Sequence, residues 1–192
     1  MIAIIGHGPS MLDECYGAEI DAHEIVVRQK RCEQTLEQPE QYGTRTDYIA
    51  GSLLIVDLLP KIGKVWGLSD SRFDECDIDH SCTVLKGTCR AWNKLYRERR
   101  TPYTPPEKGV VSYYSPLGHK HLSAGFHTIL YACAILGDDI ILYGFDSMKS
   151  GEFTWSVTRG PTWTRYPDHN WQTERDMIPL VEQVYGVKVT FR

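Results

Sequence analysis

No run of apolar residues in this 192-residue chain is long enough to cross a bilayer, which takes about 20 in succession. Strand-like sequence begins at residue 2, so no room is expected for a signal peptide. A large excess of one charge is missing too. Lys and Arg number 21 against 25 Asp and Glu, a net charge of -4 with a pI near 6.0. That balance excludes a protein whose main work is gripping nucleic-acid backbones. The one dense basic stretch, Arg97, Arg99 and Arg100, reads as a solvated helix face, so nucleic-acid contact is not favoured. The six cysteines stand at positions 15, 32, 76, 82, 89 and 133. They form no C-x-x-C pair and fit neither a zinc site nor a compact disulfide scaffold, which points to reduced thiols in a cytoplasmic protein. Internal repeats and low-complexity tracts are absent.

What is present alternates between strand and helix patterns. Residues 2–5 (Ile-Ala-Ile-Ile) form a continuous apolar run that predicts a buried strand. The turn Gly6-His7-Gly8-Pro9-Ser10 follows and is expected to open a helix. Further strands are predicted over 24–28, 48–50, 64–68, 83–85 and 110–114, with helices over 53–59 and 90–99. The clearest unit is 122–145. Ser123 is a natural N-cap, the stretch to Leu136 has helical periodicity, and Gly137 is a natural stop before the strand-like run 139–145. Asp168 is placed to cap a last helix running to about Tyr185, with a closing strand over 187–191. The expected fold is therefore one α/β domain over 1–192, with a single doubly wound, mostly parallel sheet flanked by helices in Rossmann-like fashion. Residues 146–167 hold Phe153, Trp155, Trp163 and Tyr166 among glycines and prolines without a clear period, and are expected to form a lid loop.

Ligands of such sheets bind at the carboxyl ends of the strands, where Gly6–Ser10 falls. Glycines at 6 and 8 would let a nucleotide approach the backbone, although a tight βα turn explains the same residues. A dinucleotide site is discounted. The third glycine of G-x-G-x-x-G would fall at Met11, and the second strand ends in Arg28 where a ribose-binding acid is wanted. Ser123, Ala124 and Gly125 open a helix whose first amides could meet a phosphate or ribose, or could simply belong to a capped core helix. His169, in the first turn of the last helix, is favoured as neutral imidazole by the helix dipole, as a general base requires. Glu174, five residues on, lies off its face and is expected to hold a loop or cap a backbone group.

Three segments, in order, resemble the motifs of the sialyltransferase family. Ile4–Ser10 with Tyr16–Arg28 and Tyr42–Thr46 is similar to the large sialyl motif. Ser123-Ala124-Gly125 through Asp139–Phe145 is similar to the small one, and His169 with Glu174 to the very short H-x-x-x-x-E motif. The likeness covers residues 2–52, 122–146 and 168–175, and suggests a small soluble member of bacterial or viral type with a GT-A-variant fold. It implies that Gly6, His7, Gly8, Pro9 and Ser10 contact a CMP-sugar donor, together with Arg28 and Lys30. It implies nucleotide contact for Ser123, Ala124 and Gly125, and the role of catalytic base for His169. Thr44, Thr46, Tyr166 and Glu174 take supporting places. His7 and Lys30 stand where the family commonly has asparagine. No counterpart of the family's disulfide or membrane anchor is expected.

The resemblance thus implies a metal-independent, inverting transfer of sialic acid or a similar sugar from a CMP-sugar to an acceptor hydroxyl, with no cofactor, while the lack of a long apolar run leads us to expect no membrane partner. Two alternatives stand beside it. One is glycosylation of a modified nucleobase in viral DNA from a different nucleotide-sugar. The other is a non-catalytic nucleotide-binding module.

Overall fold

Four residues with no exposed side chain, Ile2–Ile5, make strand β1 the centre of the sheet. A computed structural model describes residues 1–29, 32, 35–51, 64–67, 122–151, 154, 157, 160 and 171–192. After β1 come a short 3-10 turn Pro9–Leu12, helix α1 (Gly17–Asp21), β2 (Ile25–Gln29), α2 (Pro39–Tyr42), β3 (Tyr48–Gly51) and β4 (Lys64–Gly67). The chain continues with α3 (Ala124–Leu136), β5 (Ile140–Tyr143), α4 (Asp146–Ser150), α5 (Trp171–Tyr185) and β6 (Val189–Phe191).

The six strands lie in the order β4-β3-β2-β1-β5-β6, every pair parallel. Ile2 is in register with Ile25 on one side and Ile140 on the other. The expected α/β fold with a doubly wound parallel sheet is the observed one. Both sheet faces are covered, which explains why its strands read as continuous apolar runs rather than alternating ones. Ile2, Ile4, Val27 and Leu142 face α3 and α5, where Phe126, Ile129, Leu130, Met177 and Val181 are buried. Ala3, Ile5, Val26 and Tyr143 face the other way, onto Met11, Ile20 and Tyr42. Each fully buried Ile on these faces contributes about 1.5–3 kcal/mol relative to exposure.

The local signals for α3 hold. The Ser123 hydroxyl accepts the Phe126 amide at 3.0 Å, and the helix stops at Gly137 in the left-handed conformation. Two expectations need correction. The turn after β1 does not run into a helix but into one 3-10 turn, with α1 starting only at Gly17. The aperiodic segment from 146 begins with α4, closed at Gly151, rather than with loop. Ser147 ties this helix forward, its hydroxyl accepting the Thr154 amide at 2.8 Å. The strands expected at 83–85 and 110–114, the helices at 53–59 and 90–99, the basic stretch Arg97–Arg100 and the Asp168 cap all lie outside the described residues.

Candidate functional site

In this strand order, β1 leads to β2 on one side while β5 lies on the other. The chain direction of travel therefore reverses between β1 and β5, and the crevice above their carboxyl ends is where open α/β sheets bind ligands. Two turns meet there: Gly6–Ser10 after β1, and Gly144-Phe145-Asp146 after β5.

The turns bind each other closely. The Gly6 amide donates to the Tyr143 carbonyl at 2.7 Å and the Gly8 amide to the Gly144 carbonyl at 2.8 Å. The Ser10 amide donates to the Asp146 carboxylate at 2.8 Å, and the Ser10 hydroxyl to its other oxygen at 2.5 Å. A Cβ on Gly6 would lie 2.5 Å from the Gly144 carbonyl oxygen, and one on Gly8 would lie 2.4 Å from Asp146 Cγ. The side on which a Cβ would stand at each of these glycines is thus occupied by the turn after β5. Pro9 has no amide to offer. The His7 carbonyl accepts the Val157 amide at 2.8 Å.

Arg28, implied as a donor contact, is fully buried in β2. Its Nε donates to the Arg45 carbonyl at 3.0 Å and to Thr46 Oγ1 at 2.9 Å, and its Nη2 donates to the Tyr42 carbonyl at 2.8 Å. Burial lowers its pKa, with the nearby Cys32 and Asp21 working against that. Its Nη1 and the buried Tyr42 hydroxyl have no hydrogen-bond partner among the described residues. Arg28 thus shapes the 42–46 loop from inside the sheet. Thr46 serves as its acceptor. Thr44 donates its amide and hydroxyl to Asp21, at 2.9 and 3.0 Å, and the Arg45 amide adds a third donor at 2.8 Å. Burial works to raise the Asp21 pKa, but these amide and hydroxyl donors outweigh it and hold the carboxyl below its ordinary value.

At the amino end of α3, the Glu174 carboxyl of α5 accepts the Ser123 amide at 2.5 Å and the Ser123 hydroxyl at 2.7 Å. Glu174 is fully buried, and burial pushes its pKa up to about 8 against the pull of those two bonds. A carboxyl with such a pKa is mostly neutral at pH 7. Ala124 and Gly125 lie in the first turn beside it, half-exposed, with the Gly125 backbone against the Phe145 ring. His169, Lys30 and Tyr166 lie outside the described residues.

Two residues in this network were not singled out from sequence: Asp146 and Asp21. Asp21 lies inside the segment similar to the large motif, and its spacing from Thr44 gave no local signal. Asp146 directly follows the strand-like run ending at Phe145, and that position at a strand's carboxyl end was the only clue to it.

No family model and no curated protein matches the chain. Among solved structures it is similar to a mammalian sialyltransferase, at 17% identity and a TM-score of 0.48, over 98% of this chain and 67% of that one. It is also similar to a mammalian sialyltransferase in complex with Gal-beta-1-3GalNAc-ortho-nitrophenol, at 16% identity and a TM-score of 0.45, over 98% of this chain and 68% of that one. Both are likenesses of backbone course.

Among the described residues no group of three or more His, Cys, Asp or Glu could hold a metal ion. No helix among them is long and apolar enough to cross a membrane. Chemically, then, the described part of the crevice offers hydrogen-bonding carboxyls and hydroxyls that fix backbone turns, with Ala124 and Gly125 of α3 half-buried beside them.

Proposed function

We propose that this chain is a glycosyltransferase that moves a sugar from a nucleotide-sugar, in the first place a CMP-sugar, to an acceptor hydroxyl. The observation that carries the reading is the double hydrogen bond between Ser123 and Glu174. These residues are 51 positions apart and belong to the segments similar to the small and the very short sialyl motifs. Their bond anchors the helix that follows His169 in sequence against the amino end of α3, at the edge of the sheet where ligands bind.

In this reading the first turn of α3, with Ala124 and Gly125, takes the nucleotide side of the donor. His169 accepts the proton of the acceptor hydroxyl as its oxygen bonds to the anomeric carbon. The bond from that carbon to the phosphate oxygen breaks with its electron pair, and the nucleoside monophosphate leaves. Inversion follows from attack opposite the leaving group. No metal is called for, because the leaving group already carries its charge stably. The aromatic residues of 146–167 would close over the sugar and keep water from competing.

The test is a thermal-shift panel of CMP, UMP, GDP, UDP and CMP-sialic acid, followed by turnover assays with the donor that stabilises most. Selective stabilisation by a cytidine nucleotide supports the reading, and a uridine or guanosine preference moves it to another donor class. His169→Ala should retain the nucleotide shift and lose turnover by about 10²–10⁴-fold, the range for a general base. Retention of most of the rate would remove His169 from that role.

A further inference from the structure

A polar link crosses the apolar layer between the sheet and α3. Gln29, the last residue of β2, is buried, and its Nε2 donates to the Thr128 hydroxyl oxygen at 2.8 Å, 99 positions on. The fully buried Thr128 hydroxyl in turn donates to the Ala124 carbonyl at 2.8 Å. A hydroxyl has one proton and a carbonyl can only accept, so Thr128 Oγ1 accepts from Gln29 and the amide is held with its nitrogen toward α3. The relay runs from the carboxyl end of β2 to the first residue of α3. Val27, two residues before Gln29, and Ala50, its register partner on β3, both belong to the apolar layer that Phe126, Ile129 and Leu130 complete from α3.

An amide in such surroundings adds little to stability, because an apolar pair of the same shape can replace a buried hydrogen bond at almost no cost. What it adds is a fixed length and direction. Apolar cores lose uniqueness of packing before they lose stability, whereas a satisfied polar network holds one arrangement. The Ser123–Glu174 bonds hold the amino end of α3 from α5, and the Gln29 relay holds it from the sheet. On the glycosyltransferase reading above, we propose that Gln29 is a positioning residue: through Thr128 it fixes the first turn of α3, and with it Ala124 and Gly125, where that reading puts the nucleotide. Gln29 acts through Thr128 rather than on the donor itself.

The experiment compares the whole protein with Gln29→Met, Thr128→Val, the double variant and Thr128→Ser. Gln29→Met keeps the side-chain length and leaves the Thr128 hydroxyl bonded to Ala124, so it strands no buried donor. Thr128→Val strands the Gln29 amide nitrogen, and the double variant removes both partners. Melting temperature should therefore fall most in Thr128→Val and recover in the double variant. Nucleotide affinity should not follow it. By calorimetry, CMP should bind each of the three variants that break the link about fivefold more weakly, while Thr128→Ser binds it as the unaltered protein does. With CMP-sialic acid as donor, KM should rise by the same factor and kcat should stay within about twofold. Hydrogen exchange of the Phe126 and His127 amides, both bonded to Ser123, should quicken in those three variants and not in Thr128→Ser. If Thr128→Val fails to fold, Gln29→Met and the double variant carry the comparison. CMP affinity that tracks melting temperature, and so returns in the double variant, overturns the positioning role and leaves a nucleotide-dependent enzyme standing. If the unaltered protein neither binds CMP nor turns over the donor, the donor reading falls and exchange alone decides. Faster exchange at Phe126 and His127 in a double variant of normal melting temperature then keeps the hold of Gln29 on α3, and unchanged exchange removes it as well.

Discussion

Glu174 on α5 and Ser123 at the cap of α3 share two short hydrogen bonds inside the protein, with no exposed surface on the carboxyl. The same pair of bonds closes the gap between two helices and orders the start of α3. A buried carboxyl in that position answers to pH.

The sign follows from the direction of the shift. Burial raises the folded pKa of Glu174 from its ordinary 4.5 to about 8. Between those values the folded state holds a proton that the unfolded chain has released, so stability falls as pH rises through this window. Melting temperature should therefore drop from pH 5 to pH 8.5, and Glu174→Gln, which keeps an acceptor for the Ser123 amide, should flatten that part of the curve. A Glu174→Gln profile that follows the unaltered protein would assign the slope to another group. Glu174→Ala should cost about 1–3 kcal/mol by leaving the buried Ser123 amide without a partner.

Arg28→Met removes the donors that bind the carbonyls of Arg45 and Tyr42 and the Thr46 hydroxyl. The loss should be about 2–4 kcal/mol in urea unfolding, since buried acceptors are left unpaired. Arg28→Lys should restore only part of it, because an ammonium lacks the planar fork of the guanidinium. A variant that melts normally but no longer responds to nucleotide would instead return Arg28 to the ligand side.

Gly8→Ala should break the bond between the two turns, because its Cβ would lie 2.4 Å from Asp146 Cγ. We expect a cost of about 1–3 kcal/mol, typical of overpacking. Asp146→Gly should be less harmful in that background than alone, giving a double-mutant coupling of at least about 0.5 kcal/mol. Independent, additive effects would mean that the turn relaxes away from Asp146 at little cost.

Asp21 acts in the opposite sense to Glu174. Its carboxyl is held below its ordinary value despite partial burial, by the Thr44 and Arg45 donors. Its contribution is present above the unfolded pKa and is lost as pH falls through the lower folded one. Asp21→Ala should cost about 1–2 kcal/mol at pH 7, and the gap to the unaltered protein should shrink on acidification below about pH 4. A gap that stays constant down to pH 2 would show that the loop does not depend on the charged form.

Local sequence determined the frame. Ile2–Ile5 and Ile140–Tyr143 are strands because short, unbroken apolar runs can be buried on both faces of a parallel sheet, and both runs are visible without a structure. Ser123 and Gly137 bounded α3 because capping chemistry acts within a few residues. Tertiary structure decided what the polar residues do. Gly6 and Gly8 have the same freedom in any tight turn, and only the tertiary structure shows Gly144 and Asp146 standing where their Cβ atoms would be. Arg28, at the end of an apolar run, has a side chain long enough for several destinations, and the fold sends it inward to the 42–46 loop. Glu174 is expected from sequence to hold a loop or cap a backbone group, but which group it meets is decided only when α5 packs on α3 and the carboxyl reaches Ser123, 51 positions earlier. Periodicity reports which face of an element is buried, but a hydrogen bond between distant segments leaves no period, so these pairings exist only once the sheet brings their ends together.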